Sequence, residues 1–179
     1  MLLCLCCRLG SLWWRVSGSS DDFNNAQLAL DWAEKYLHMS DGMFMADEEV
    51  EGLNSPSRGT ETCTVVETMF SMRTAFEITG NITFMDRLER IAFNALPAAL
   101  WPDVTSNVYH HSSNQLFAVG PPFGYSLWFC CTSNVHQGWP KFVMSAVHTD
   151  TATKSLVISG YSPSISDVPG FGTVNISGR

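Results

Sequence analysis

Basic residues are scarce in this 179-residue chain, with ten Lys and Arg against seventeen Asp and Glu and a net charge of −7. They are spread thinly and form no stripe. That argues against nucleic acid as a partner, because phosphate binding needs a clustered positive face. Long apolar runs are missing too. Nothing approaches the roughly 20 apolar residues of a membrane-spanning helix, so no span is expected. Disulfide-ready spacing is also absent. Six cysteines are an even number and can in principle form a framework. However, Cys4, Cys6 and Cys7 crowd the first seven residues, Cys63 stands alone, and Cys130 and Cys131 are neighbours. Adjacent cysteines rarely bridge, since a disulfide needs separated, correctly aimed Cβ atoms. Reduced thiols holding a metal fit this distribution better. The C-x-C-C at 4–7 lacks partner ligands and reads as no cluster of its own.

The start, with its short apolar run interrupted by Arg8 and no basic residue ahead of it, is a weak signal peptide. The sequons Asn81-Ile-Thr83 and Asn175-Ile-Ser177 shift the balance little, and the compartment leans to the cytoplasm. What is abundant is aromatic: eleven Phe, six Trp and four Tyr. Aromatic faces stack on sugar rings, so a neutral, sugar-like substrate suits this composition, although most of these side chains serve a core.

Four zones follow along the chain. Residues 1–24 read as an irregular, poorly ordered arm. Residues 25–96 read as helical. Ala26, Ala29, Leu30, Ala33 and Leu37 form one apolar face, Val65, Met69, Met72 and Phe76 a second, and Phe84, Leu88, Ile91 and Ala95 a third. Gly80-Asn81 separates the last two helices and Pro97 ends the third. So short a connection predicts antiparallel packing. Residues 97–140 are rich in Pro and Gly and read as one long loop, which inside a compact domain is usually functional. From 141 onward, β-branched runs at 146–149, 155–159 and 172–177 alternate with breakers and read as strands. The fold class is therefore mainly α with a β C-terminal part. The strand pattern is cut off, so the chain is expected to be a fragment of a larger protein.

Glu61, Cys63, Cys130 and Cys131 together offer one carboxylate and three thiols, a donor set suited to zinc. Residues at i and i+2 do not share a helix face. Glu61 and Cys63 can converge only where the chain enters a helix, and Gly59-Thr60 permits that entry.

Three segments carry a family resemblance. Gly59-Thr-Glu-Thr-Cys-Thr-Val-Val-Glu-Thr-Met-Phe70 is preceded by Asp41-Gly-Met-Phe-Met-Ala-Asp-Glu48 and followed by Phe129-Cys-Cys-Thr-Ser-Asn134. Together they resemble glycoside hydrolase family 127, the β-L-arabinofuranosidase family, over roughly residues 30–165. The resemblance implies a partial (α/α)6 barrel at 25–140 followed by the first strands of a β-sandwich at 141–179, with Tyr161-Ser-Pro163 at the transition. It implies zinc held by Glu61, Cys63, Cys130 and Cys131, with Cys130 as the nucleophile and an upstream glutamate as acid/base. Asp47-Glu48 resembles the family's acidic position, which points to Glu48, with Glu49 the alternative and Glu51 close by. The implied activity is a retaining glycosidase that releases a terminal arabinofuranose or similar sugar. His110, His111 and Gln115 are expected sugar contacts, and Trp128 and Trp139 flank the cysteine pair. His136 is a candidate partner or alternative ligand. The rival readings are a non-catalytic module stapled by the same zinc ligands and an inactive truncated remnant. An incomplete barrel would leave apolar faces unburied, so the isolated chain is expected to be poorly stable and inactive.

Overall fold

The computed structural model describes residues 2–46, 58–113 and 130–177, with side chains from residue 8 onward. About half of it is helical, and small antiparallel sheets fill the C-terminal part. Two helices open the chain, α1 (Leu2–Ser17) and α2 (Ser20–Leu37). A two-residue strand, β1 (Thr60–Glu61), runs straight into the long helix α3 (Thr62–Thr79), and α4 (Thr83–Phe93) and the single-turn α5 (Ala95–Ala98) follow. Next come β2 (His110–His111), α6 (Cys130–Val135) and α7 (Gly138–Met144). Two hairpins end the chain, β3 (Val147–Asp150) with β4 (Ser155–Ile158), and β5 (Ser164–Val168) with β6 (Gly172–Ile176).

The core forms on the apolar faces that the heptad-like spacing marks. Val65, Met69, Met72 and Phe76 of α3 meet Phe84, Leu88 and Ile91 of α4, with Ala95 and Leu96 of α5 and Phe142 of α7. Each large apolar side chain buried this way contributes about 1.5–3 kcal/mol. A second cluster, Ala33, Leu37, Met39, Phe44 and Met45, lies under α2, and Leu30 packs against both. Gly80 ends α3 in the left-handed conformation, with φ 69°, and its amide donates to the Phe76 carbonyl. This is the usual reason for glycine at such a position. The Asn81 side chain then accepts from the Thr83 amide and hydroxyl, so the first sequon sits in an exposed turn.

Four expectations change. The first residues are helical, not irregular. Arg8 of α1 reaches Glu67 of α3 at 3.0 Å and lies over the Phe70 ring, while Trp14 packs on Phe23 of α2. These contacts, invisible to local composition, order the segment. Second, α4 stops at Phe93 because Asn94 leaves helical geometry, with φ −123° and ψ −67°. Pro97 lies in the following turn, α5, where an early helical position does not require its missing amide hydrogen. Third, the stretch 97–140 contains β2, α6 and part of α7. Fourth, β5 pairs with β6 although its Ser164-Ile-Ser-Asp-Val168 sequence is weakly apolar. Among the described residues no helix is long and apolar enough to cross a membrane.

The docking of α1 is directly testable at Gly10. A Cβ placed there would sit 2.3 Å from the Ala26 Cβ of α2. In an undocked helix, Gly10→Ala would stabilise by about 1 kcal/mol through helix propensity. Against α2 it should instead destabilise by about 1–3 kcal/mol of overpacking, measured by chemical denaturation.

Candidate metal centre

The site is built where β1 becomes α3. Glu61 keeps extended geometry, with φ −71° and ψ 140°, and is the last residue before the helix. Cys63 is therefore the second helical residue, and the bend lets side chains at i and i+2 point into one space. The strand is held along both edges. On one side the Ala46 amide donates to the Gly59 carbonyl and the Glu61 amide to the Ala46 carbonyl. On the other, β1 pairs antiparallel with β2, Thr60 opposite His111 and Glu61 opposite His110. The Thr62 amide and hydroxyl extend this edge to the carbonyls of Tyr109 and Val108. Thr60, itself buried, donates to the Phe44 carbonyl.

Against this corner α6 lays Cys130 and Cys131. One potential ligand atom from each of Glu61, Cys63, Cys130 and Cys131 lies within 4.8 Å of the other three. The Cys63 and Cys131 sulfurs are 3.4 Å apart. Glu61 Oε1 is 3.4 Å from Cys131 Sγ and 3.8 Å from Cys130 Sγ. A tetrahedral ion with metal–sulfur bonds of about 2.3 Å separates its sulfurs by about 3.8 Å, so the cluster is near ligating dimensions. Glu61, Cys63 and Cys131 are buried, and Cys130 is exposed.

The protonation pattern also suits a cation. Hydrogen bonding from Cys131 pulls the Cys63 thiol below its ordinary value against its burial, with help from Asn134. Its bond to Cys63, then burial, push Cys131 far up. Burial, then the nearness of Cys63 and Glu61, push Cys130 up. The three thiols are thus unequal, Cys63 shifted toward the thiolate and Cys130 and Cys131 away from it. A metal ion that binds thiolates displaces the remaining protons. The residues can thus hold a metal ion.

The other expected site residues divide. Glu48, Glu49, Glu51, Gln115 and Trp128 lie outside the described residues. His110 is half-buried opposite Glu61. His111 is 3% exposed and faces Asp41, Nε2 to Oδ2 at 3.3 Å. This is a partner the sequence reading did not name. Trp139 stacks edge-on with Phe93 and near Phe142 on the outer side of the core. His136 is exposed. A further side chain that meets the cluster is Asn134, whose Nδ2 donates to Cys63 Sγ at 3.2 Å. Its signal was its place in α6, four residues after Cys130 and three after Cys131, spacings that share a helix face.

The profile of the β-L-arabinofuranosidase, GH127 catalytic domain matches residues 42–144, more than half of the sequence. The chain belongs to glycoside hydrolase family 127. No curated protein matches it, and no solved structure does. The family 127 match runs from the loop ahead of β1 to the last residue of α7 and includes all four clustered residues. It leaves α1, α2 and the two hairpins outside. Membership in family 127 implies a carbohydrate substrate.

Asp41 ties the loop ahead of β1 to β2. Burial alone would raise its carboxyl, but the bonds from His111 and the Met43 amide outweigh it and hold the carboxyl below its usual value. A carboxyl lowered on folding contributes stability above its unfolded value of about 3.9. That contribution disappears as pH falls through the lower folded value. Asp41→Asn should therefore be less stable than the parent near neutrality. The gap should narrow as pH falls below the unfolded value of about 3.9 when unfolding is followed by denaturant titration at each pH. A gap independent of pH would mean that the pair does not carry the loop.

Proposed function

We propose that this chain carries the catalytic site of a retaining glycoside hydrolase that releases terminal β-L-arabinofuranose or a similar sugar. In this reading α3 and α4 are helices of an (α/α)6 barrel at 25–140, and the hairpins after 141 begin a β-sandwich. Glu61, Cys63, Cys130 and Cys131 hold zinc. The observation that carries the reading is the asymmetry of the cluster. Three of its members are buried, and Cys130 alone is exposed. A nucleophile must be reachable by its substrate, and of the three sulfurs only that of Cys130 is open to solvent.

When bound, zinc supplies the charge that keeps the clustered thiols deprotonated. Cys130 is then the nucleophile. Its sulfur attacks the anomeric carbon, the glycosidic C–O bond breaks, and a thioglycosyl enzyme forms on Cys130. Glu48 gives its proton to the leaving oxygen, and afterwards takes one from the water that releases the sugar with net retention. This is the two-step scheme of retaining glycosidases with a thiolate in place of the nucleophilic carboxylate. In support of Glu48, Ala46 lies two residues before it in sequence and is hydrogen-bonded to Gly59 and Glu61. The half-buried His110 and the His111–Asp41 pair line the same β1–β2 corner. With Gln115 they are the proposed sugar contacts.

Cys130→Ser, made in an intact homologous chain, should lower turnover of a nitrophenyl β-L-arabinofuranoside by at least about a thousandfold. Its circular dichroism should stay that of the parent. Turnover within tenfold of the parent would remove Cys130 from the nucleophile's role. Elemental analysis of the parent should find about one zinc per chain, as four-ligand coordination requires.

A further inference from the structure

Three sulfurs meet at the cluster, and in the proposed reaction only one of them must change partners. Something has to make the three unequal, and burial does part of this. Cys63 is 3% and Cys131 1% exposed, while Cys130 is open to solvent. The remaining difference is a hydrogen bond. Asn134 Nδ2 lies 3.2 Å from Cys63 Sγ. On its other side Asn134 Oδ1 accepts from Gln137 Nε2 at 3.3 Å. With the oxygen so engaged, the NH2 group faces the sulfur. The described neighbours of Cys130, by contrast, are thiols and the Glu61 carboxylate.

We propose that Asn134, oriented by Gln137, is a positioning residue that holds Cys63 as a permanent metal ligand and so leaves Cys130 as the sulfur free to react. The inference rests on reading the cluster as a zinc site. An N–H donor on a thiolate is a charge-assisted bond that stabilises the anion and withdraws charge from it. A sulfur so bonded is a poorer nucleophile and stays where its donor holds it. Asn134 also stands on α6 with Cys130 and Cys131, whereas Cys63 belongs to α3. The bond thus joins the two helices at the site and fixes the spacing between the vicinal pair and the lone cysteine. Groups that bond to metal ligands in this way typically change metal affinity 10–100-fold when removed.

The test uses the full chain loaded with cobalt(II), whose thiolate charge-transfer bands report electron density on sulfur, together with zinc competition against a chromophoric chelator. Asn134→Ala should shift the charge-transfer band to lower energy, because the Cys63 sulfur becomes more electron-rich. It should also weaken zinc binding by about 10–100-fold. Asn134→Asp keeps the shape but sets a carboxylate against the thiolate, and should weaken binding at least as much. Gln137→Ala keeps the donor and frees its orientation, so it should show a smaller change in the same direction even if the Asn134 variants fold poorly. A band unmoved in all three variants, with zinc affinity within about threefold of the parent, a change well below that range, would overturn the proposal. A parent chain that binds neither zinc nor cobalt would instead refute the zinc reading, and this proposal with it.

Discussion

Thr60 and Glu61 are hydrogen-bonded along both edges and become helix at the next residue, and the candidate site depends on that junction. A helix alone would send Glu61 and Cys63 to different faces, and a strand alone would place them too far along its length. The junction resolves this only if β1 cannot slide. The Ala46 bonds on one edge and the β2 pairing on the other prevent sliding. Gly59 shows how tight the fit is, since a Cβ there would lie 2.1 Å from the His111 carbonyl oxygen. Only a residue without a side chain lets β1 approach β2 so closely.

The junction brings four potential anions together, and that has a cost the rest of the structure must bear. Around the cluster the described partners are polar and specific. Asn134 meets Cys63, the Tyr109 carbonyl faces Cys131, and the Glu61 carboxylate lies near both members of the vicinal pair. Such an arrangement is poor as a metal-free core, because its thiols resist ionising together beside a carboxylate. It is sound as a ligand set. The same reasoning explains the buried threonines of α3. Thr62 and Thr68 are fully buried, and each hydroxyl donates to a backbone carbonyl, so neither hydroxyl is left uncompensated.

How much of this was legible in the sequence depends on the range of the interactions. The apolar faces of α3 and α4 repeat at helical spacing and were readable, as was the Gly80 stop. The four clustered residues were readable from their chemistry and from the family's motifs. Helix α1 was not, because what orders it is distant in sequence: the Arg8 pair with Glu67 and the Gly10 approach to Ala26. The Asp41–His111 pair, seventy residues apart, was hidden for the same reason. Strand β5 was missed because its residues are mostly polar, and pairing with β6 rather than burial makes it a strand. Asn134 had a local signal in its helical spacing to the cysteine pair, but nothing in the sequence said that its amide would face Cys63 rather than solvent.

The cluster and the core share one element, and this couples their energetics. Helix α3 supplies Cys63 from its first turn and Val65, Met69 and Met72 from the turns behind it. Helix α7 follows the cysteine-bearing α6 at once and packs on that core. A Cβ at Gly138 would come within 2.9 Å of the Leu96 side chain and 3.3 Å of Val66. Short α6 has little apolar surface of its own, since of its six residues only Cys131 is buried. Its place against α3 rests on Val135, which packs on the core, on α7 behind it, on the Asn134–Cys63 bond, and on any ion that the cluster binds. Metal binding at such a site is also binding between elements, and its free energy adds to the free energy of docking α6. The part of the chain with the weakest apolar support is then the part that the ligand set would hold most firmly, which places the exposed Cys130 on a fixed base.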